Sequence, residues 1–312
     1  MLISIVNHEN RELVRRCLLS LPVACDGLDW LVTVIDNVSG DGSVEMLVGT
    51  FPHVHVVENQ TRRGFGANHN QVLRPLIEGP MGPSTPRYVL ILNEDTFLRP
   101  SAVSRMVGML DADQCLAAVA PVILDRHGQA GASRLAYPNA GSSWRCDWTE
   151  RSEPPDLQGY LQGCCLLLRV AAVAQVGAFD ERFFLFYEDT DISRRLADAG
   201  WSLNVCADAV VEHLGHASVL GPAMATFTPK QGRRSRYLYL CKHQGRLRAE
   251  VITAIGRLLL LVRAARAIAG ATVRDDPAGR DRARRLFGLA RHNPRRPVFP
   301  DPRARGIRTG SR

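Results

Sequence analysis

The chain has 312 residues, 46% of them hydrophobic, and a formal net charge of +8, which fits a globular protein of one large domain or of one domain with an appendage. The charge is uneven: residues 1–220 carry 17 Arg, no Lys and 26 acidic residues, whereas residues 221–312 carry 22 Lys or Arg and 5 acidic residues. An acidic body therefore precedes a basic tail, whose charge favours binding to a polyanion such as anionic lipid or nucleic acid. The sequence contains no run of about 20 uncharged residues, which argues against a transmembrane span.

Cysteine usage indicates a reducing compartment. The 8 cysteines include no CxxC pair, and most lie in apolar runs where a free thiol behaves as a small hydrophobe, so we expect no zinc site. Residues 1–6 lead directly into a strand, without a charged region or a cleavage site. We therefore expect no signal peptide and a cytoplasmic location.

In chain order, the first part alternates short apolar runs with segments of helical spacing. The runs are Leu2 to Val6, Leu31 to Ile35, Val54 to Val57 and Tyr88 to Leu92. Pro22 marks the predicted end of the first helix. The β-α-β-α-β-α-β order predicts an α/β fold with a parallel, right-handed, doubly wound sheet flanked by helices.

The fourth run ends at Asn93-Glu94-Asp95. Ligands of open α/β sheets bind beyond the carboxyl ends of the strands, and an unpaired carboxylate is too costly to bury. Mg²⁺ and Mn²⁺ prefer carboxylate oxygens and often bridge to phosphates. The stretch thus predicts a cation site, with a polar turn as the alternative.

The chain lacks the sequence motifs of two classes of nucleotide-binding protein. The turn after the first strand has no glycine, so it is not GxGxxG, and no GxxxxGK[ST] loop is present. A nicotinamide dehydrogenase and a P-loop NTPase are therefore disfavoured. Asp36, at the end of the second strand, can accept hydrogen bonds from a ribose or a base, or can simply form a turn.

The middle of the chain contains a long polar segment. Residues 125–158 carry Trp144 and Trp148 and are too long for a simple connection, which predicts an acceptor-binding lid or a disordered loop. An apolar strand follows from Gly159 to Val170. Gly163 inside it indicates a close approach of ligand or backbone.

A run of bulky apolar residues, 183–187, directly precedes Glu188-Asp189-Thr190-Asp191 and a helix. Acids at a helix N-terminus complement its dipole, but a carboxylate beside an apolar wall can also serve as a base. The predicted strands 201–205 and 209–211 lead to His213. This histidine is a candidate third ligand near Asp95, or else a structural histidine.

Taken in this order and spacing, the motifs resemble the family 2 inverting glycosyltransferases of the GT-A fold, most closely the bacterial rhamnosyltransferase-like branch. The resemblance covers roughly residues 2–216. The motifs are Asn7-His8-Glu9-Asn10, Asp36-Asn37-Val38-Ser39-Gly40-Asp41-Gly42-Ser43, Gly64-Phe65-Gly66-Ala67-Asn68, Asn93-Glu94-Asp95, Gly177-Ala178-Phe179-Asp180-Glu181, Tyr187-Glu188-Asp189-Thr190-Asp191, Gly200-Trp201 and Val211-Glu212-His213.

The resemblance implies a role for each matching residue. Asp189 would be the catalytic base, and Asp95 with His213 would hold a divalent metal, Mg²⁺ or Mn²⁺. The implied donor-binding residues are Asn7, Asp36, Asn68, Asn93, Glu94, Asp95 and Gly163. The implied acceptor-side residues are Glu188, Asp191 and Trp201. The DxD-like motif begins with Asn93 rather than an acid, which weakens the case for a tightly held metal.

The implied reaction moves a sugar, L-rhamnose in this branch, from a dTDP or UDP donor to a hydroxyl of a glycan or lipid-linked glycan. Inversion needs one base and a cation on the leaving diphosphate, and no nucleophile motif such as GxSxG is present. The alternative is a non-catalytic, basic-tailed protein that binds nucleic acid or membrane. The acidic body and the lack of a nucleic-acid motif disfavour nucleic acid.

The change in charge predicts a catalytic domain at 1–220 followed by a helical extension at 221–274. We expect the Arg- and Pro-rich segment at 275–312 to be disordered. Within 233–274 the arginines cluster on one side of a helix, with Arg257 opposite. Such a helix suits the anionic inner face of the cell membrane. The alternative is packing against the catalytic domain or a second subunit of a homodimer.

Overall fold

The computed structural model describes residues 1–138, 159–215, 222–274, 276–296 and 298. They divide into two compact units, one built from residues up to 137 together with 159–215, the other from residue 222 onward. The strands of the first unit are β1 Leu2–Asn7, β2 Leu31–Asp36, β3 Val54–Glu58, β4 Tyr88–Asn93, β5 Thr96–Leu98, β6 Leu116–Leu124, β7 Arg134–Leu135, β8 Tyr160–Leu161, β9 Cys165–Arg169 and β10 Ser202–His213. Its helices are α1 Arg11–Ala24, α2 Ser43–Thr50, α3 Phe65–Glu78, α4 Ala102–Ala112, α5 Val170–Val176 and α6 Glu188–Asp198.

The first unit is organised by an 8-stranded sheet in the order β3-β2-β1-β4-β9-β6-β10-β5. Strands β3, β2, β1 and β4 pair in parallel, as do β6 and β10. The predicted α/β fold with a mostly parallel, helix-flanked sheet is confirmed. The departure is β9, which lies antiparallel between β4 and β6, and β5, which lies antiparallel to β10.

Alternate residues of the central strands feed two hydrophobic cores. Leu90 of β4 belongs to the core that α1, α2 and α4 cover, whereas Ile91 belongs to the core under α3, α5 and α6. Both faces of the sheet are therefore buried, as the continuous apolar runs of its strands indicate. Because β1, β2 and β4 pair in parallel, their carboxyl ends meet at one edge of the sheet.

Two element boundaries differ from the prediction. Helix α1 continues past Pro22 to Ala24, because a proline there forfeits one backbone hydrogen bond while the buried Leu21 and Ala24 keep the last turn packed. The two strands predicted near the end of this unit are one strand, β10, whose pairing with β6 is irregular after Cys206. The predicted lid falls largely on residues 139–158, outside the described residues.

The second unit contains three helices: α7 Pro222–Gln244, α8 Arg246–Arg274 and α9 Pro277–Arg291. The disorder expected for 275–312 is wrong for α9. Asp276 caps this helix by accepting a hydrogen bond from the Ala278 amide at 2.9 Å, and Pro277 occupies its first turn. Residues 299–312 lie outside the described part of the chain. Within that part, no helix combines the length and apolarity that a membrane span requires.

Candidate active site

Polar side chains gather at the carboxyl edge of the central strands. Asn7 pairs with Asp36 in the register of β1 and β2, and its Nδ2 donates to Asp36 Oδ1 at 3.0 Å. The Ser39 amide donates to Asp36 Oδ2 at 2.9 Å. Both carboxylate oxygens are thus fixed by donors, and Asp36 is 3% exposed. The predicted donor-binding pair Asn7 and Asp36 is brought together.

A network of side-chain amides supports the loop that precedes α3. Asn37 Nδ2 donates to the Arg63 carbonyl at 3.0 Å, while Asn37 Oδ1 accepts from the Arg63 amide at 2.9 Å. Asn59 Nδ2 donates to Asn68 Oδ1 at 2.6 Å and to Asn37 Oδ1 at 3.2 Å. Asn68 is fully buried. Its amide therefore supports the loop, and its predicted contact with the donor stays a prediction.

The residues predicted to hold a cation, Asp95 and His213, lie close together where β4, β5 and β10 converge. His213 Nε2 lies 3.1 Å from Asp95 Oδ1, and Asn93 Nδ2 lies 3.5 Å from the same ring nitrogen. Both Asp95 and the end of β10 are held by backbone, since the Leu214 amide donates to the Asp95 carbonyl at 3.1 Å. The Asp95 carboxylate oxygen is a ligand type that Mn²⁺ and Mg²⁺ prefer, whereas an imidazole nitrogen is typical of softer metals.

Glu94 points to a different neighbour. Its Oε1 accepts a hydrogen bond from Asn10 Nδ2 at 2.9 Å, at the start of α1. Burial, reinforced by the Asp95 carboxylate, raises the pKa of Glu94. Burial alone would lower the pKa of His213, but Cys164 and Asp95 beside it raise that pKa to about 11.

The predicted base lies in the first turn of α6. Asp189 Oδ2 accepts from the Gly163 amide at 3.1 Å, and Oδ1 accepts from the Thr190 amide at 2.7 Å and hydroxyl at 3.1 Å. A Cβ at Gly163 would stand 3.1 Å from the Asp189 Cβ, so glycine allows this close approach. The adjacent Cys164 carbonyl accepts from the Asn93 amide at 2.9 Å. Two consecutive residues thus connect the base to the cation site.

The segment before α6 is held in an uncommon backbone conformation. Phe186 and Tyr187 have φ of 68° and 71°, in the left-handed region that non-glycine residues rarely adopt. The Phe65 amide donates to the Phe184 carbonyl at 2.8 Å. A Cβ at Gly64 would stand only 2.6 Å from that carbonyl oxygen. The loop before α3 and the segment before α6 therefore brace one another.

Comparison with known proteins identifies the group to which this fold and site belong. The family model described as Glycosyl transferase family 2 matches residues 2–174. The chain belongs to glycosyl transferase family 2. It is also 31% identical, over 239 residues, to the N-acetylglucosaminyl-diphospho-decaprenol L-rhamnosyltransferase of two Mycobacterium tuberculosis strains, an alignment that covers 70% of this chain and 77% of the relative.

Solved structures share the fold of this glycosyltransferase. Mannosyltransferase PcManGT from Pyrobaculum calidifontis, in complex with GDP-Man and Mn²⁺, has a TM-score of 0.54 at 15% identity, covering 93% of this chain and 85% of that one. S. aureus TarS 1–349, in complex with UDP-GlcNAc, has a TM-score of 0.51 at 13% identity, covering 93% and 80%. At these identities the likeness shows the GT-A fold alone. The predicted family and enzyme class are confirmed.

Two of the predicted acceptor-side residues of the glycosyltransferase, Trp201 and Asp191, make hydrogen bonds within the protein. Trp201 precedes β10, whose first residue pairs with the start of β6, at the edge of the sheet opposite His213. Its Nε1 donates to Gln175 Oε1 at 2.8 Å. This bond joins Trp201 to the end of α5, and its predicted acceptor-side role stays a prediction.

Asp191 is fully buried, and its Oδ2 accepts from Arg195 Nε at 2.9 Å. Arg195 also donates to the carbonyls of Val176, Gly177 and Ala178 at 2.7–2.9 Å. Asp191 therefore fixes α6 to the end of α5 through Arg195, and its predicted acceptor-side role stays a prediction. Glu188, the remaining acceptor-side candidate, is 6% exposed in the first turn of α6.

The sequence analysis assigned no role to the side chains that position the site. Ser39, Asn37, Asn59 and Arg195 hold Asp36, the loop before α3 and α6. A weak signal existed for the asparagines, which recur directly after β2 and β3. For Arg195, the i, i+4 spacing from Asp191 within one helix was a local signal, whereas its carbonyl partners at the end of α5 gave none.

Proposed function

We propose that this glycosyltransferase moves L-rhamnose from a dTDP or UDP donor to a hydroxyl of a lipid-linked glycan, with inversion, through Asp189 as base. The relative whose name states an L-rhamnosyltransferase acting on N-acetylglucosaminyl-diphospho-decaprenol carries the choice of sugar and acceptor. The observation that carries the base is the Asp189 carboxylate, fixed at the N-terminus of α6 next to β9.

Asp36 and Asn7 are proposed to receive the nucleoside of the donor. Their position beyond the carboxyl ends of β1 and β2 is where open α/β sheets bind ligands. Asp36 retains acceptor capacity, since a carboxylate offers about four lone-pair sites and two are engaged here. Either a ribose or a base edge can complete the set.

We propose Asp95 as the main protein ligand of a divalent metal, because Mg²⁺ and Mn²⁺ prefer carboxylate oxygens. His213, whose raised pKa keeps it protonated beside Asp95, would join it only after losing its proton to the incoming ion. Within the described residues no group of three or more His, Cys, Asp or Glu side chains is arranged to hold a metal. Diphosphate oxygens and water would supply the remaining ligands, as Mg²⁺ sites commonly require. When bound, the ion would offset negative charge on the leaving diphosphate.

Asp189 would take the proton from the acceptor hydroxyl. That oxygen forms a bond to the anomeric carbon from the face opposite the diphosphate, and the bond from that carbon to the diphosphate oxygen breaks. The products are an inverted glycoside, a nucleoside diphosphate and protonated Asp189, which returns its proton to water. No covalent intermediate with the protein is needed.

We also propose the domain division from these observations. The catalytic domain would span 1–220 and a helical extension would begin at 221, a boundary supported by the two compact units. Helix α9 continues this helical region beyond the predicted end at residue 274. With a lipid-linked acceptor, we place the enzyme in the cytoplasm at the inner face of the membrane. The basic tail supports that location by its charge.

The test of the base replaces Asp189 by asparagine. We expect Asp189→Asn to lower kcat by about 10²- to 10⁴-fold, the usual contribution of general base catalysis, while donor binding persists. Asp198→Asn is the matched control, because Asp198 lies on the exposed end of the same helix and bonds Arg194. Near wild-type turnover in Asp189→Asn would remove Asp189 from this role.

A further inference from the structure

Helix α8 is apolar on two opposite sides. One side is buried within the second unit, where Ala249 and Ile252 pack with Tyr237 and Leu240 of α7. Further along the same side, Arg257 Nε donates to the Ala290 carbonyl at the end of α9, at 3.0 Å. This side therefore accounts for the packing of α8 against its neighbouring helices.

The opposite side carries a row of exposed large apolar side chains, here called the α8 stripe. Leu247 is 79% exposed and Leu258 is 61% exposed. The stripe consists of Leu247, Val251, Ile255, Leu258, Leu261, Val262 and Ile268. At 1.5 Å per residue it extends about 30 Å along one face of the helix. Scattered exposed apolar residues are normal, but a continuous stripe indicates a surface that contacts something apolar.

Arginines border the α8 stripe. Arg248 and Arg266 are exposed and, at about 100° per residue, project from the flank of the stripe. Residues 221–312 as a whole carry 22 basic and 5 acidic residues. A second copy of the chain would bring the same positive charge, whereas an anionic lipid surface would offset it. Apolar residues bordered by arginine are typical of helices that lie in a lipid interface.

We propose that the α8 stripe docks on an anionic phospholipid surface, with α8 lying in the plane of the interface and the flanking arginines reaching the lipid phosphates. The stripe side chains would enter the boundary between headgroups and acyl chains. The inference deepens the proposed location at a membrane, on which it rests, by naming the surface that would contact the lipid. Docking itself would hold whichever sugar the enzyme transfers.

The test is co-sedimentation of the full chain with vesicles of phosphatidylcholine alone or mixed with phosphatidylglycerol. The variant Leu258→Glu places a charge in the middle of the stripe. Val48→Glu is the matched control, because Val48 is 64% exposed, lies on α2 in the first unit and undergoes the same charge change. The double variant Arg248→Gln/Arg266→Gln tests the arginines.

We expect wild type and Val48→Glu to bind the mixed vesicles alike, and Leu258→Glu to bind them at least about 10-fold more weakly. The arginine variant should also bind about 10-fold more weakly, with a smaller dependence on salt. All variants should keep the wild-type melting temperature and the wild-type turnover of a water-soluble acceptor. This last readout separates failure of docking from failure of the proposed reaction.

Three outcomes would overturn the proposal. The folded wild type could fail to bind either vesicle. Leu258→Glu could bind as tightly as Val48→Glu, which would assign the affinity to the basic tail alone. Light scattering could also reveal a dimer that Leu258→Glu dissociates, in which case the stripe joins two copies of the chain.

Discussion

Asp95 and His213 lie far apart in the sequence and are brought within 3.1 Å by the antiparallel pairing of β5 with β10. If these two residues hold a metal as proposed, most of its coordination sphere would be left to the donor diphosphate and to water. Metal and nucleotide should therefore bind together. Glu94, the neighbouring acid, bonds Asn10 and is not part of this pair.

This separation of Asp95 from Glu94 predicts different behaviour of two adjacent variants. A nucleoside diphosphate at about 100 times its dissociation constant should stabilise the wild type by roughly 2.7 kcal/mol, and more of that gain should appear with Mg²⁺ or Mn²⁺ than without. Asp95→Asn should lose the metal-dependent part of the thermal shift, and Glu94→Gln should keep it. The opposite pattern would assign the metal to Glu94.

His69 is a buried histidine away from the cation site. Its Nδ1 lies 2.8 Å from the Ser4 hydroxyl, between Phe65 and Phe179. Burial lowers the pKa of His69 from the ordinary 6.5 to about 3. The neutral ring therefore stabilises the fold fully above pH 6.5, and that stabilisation is lost as the pH falls from 6.5 toward 3.

We expect His69→Asn, which can keep the bond to Ser4, to flatten the acid limb of stability. One proton contributes up to about 1.4 kcal/mol per pH unit, so urea unfolding at a series of pH values should resolve the change. His127→Asn, on the exposed turn after β6, should keep the wild-type profile. An unchanged profile in His69→Asn would mean that other groups control acid unfolding.

Helix α6 carries the proposed base, Asp189, in its first turn and is anchored by Arg195 near its C-terminal end. Asp191, in the first turn, accepts a hydrogen bond from Arg195. Arg195 also donates to three carbonyls at the end of α5, which joins α6 to that segment. Breaking a buried ion pair costs about 3–5 kcal/mol, whereas an exposed pair contributes about 0–1 kcal/mol. Neighbouring arginines of this helix should therefore differ greatly in importance.

Arg195→Met should destabilise the protein by about 3–5 kcal/mol, because it leaves the Asp191 carboxylate buried without its cation. Arg194→Met is the control, since Arg194 and Asp198 form a pair that is 40% and 53% exposed, and it should cost less than about 1 kcal/mol. Urea unfolding measures both. Equal losses would mean that the Arg195 pair does not anchor α6.

The strand ends illustrate what sequence can predict about this site. Asn7, Asp36 and Asn93 each end a short apolar run, so their common edge follows from the pattern and the topology rule. The bond between Asn68 and Asn59 could not be predicted in this way, because Asn59 comes from another element. The bond between Trp201 and Gln175 could not be predicted either, because the motif gives no information about which side chains α5 brings to the start of β10.

At the scale of the whole molecule, periodicity predicted the α/β fold but not the direction of β9. All five residues of β9 are buried, so parallel and antiparallel placements show the same apolar run. Composition also obscured α9, where the Arg-rich sequence suggested disorder although Asp276-Pro277 is a helix-start signal. The left-handed Phe186 and Tyr187 follow from long-range bracing that no local pattern reveals.

We propose that this chain transfers L-rhamnose with inversion and with the help of a divalent metal. The most direct measurement incubates the full chain with Mg²⁺, a lipid diphosphate-linked N-acetylglucosamine, and dTDP- or UDP-rhamnose, and determines the product by mass spectrometry and NMR. We predict addition of one rhamnose with the anomeric configuration opposite to that of the donor, together with release of the nucleoside diphosphate. Retained configuration would contradict the single-base mechanism, and absence of transfer from both donors would contradict the assigned sugar or acceptor.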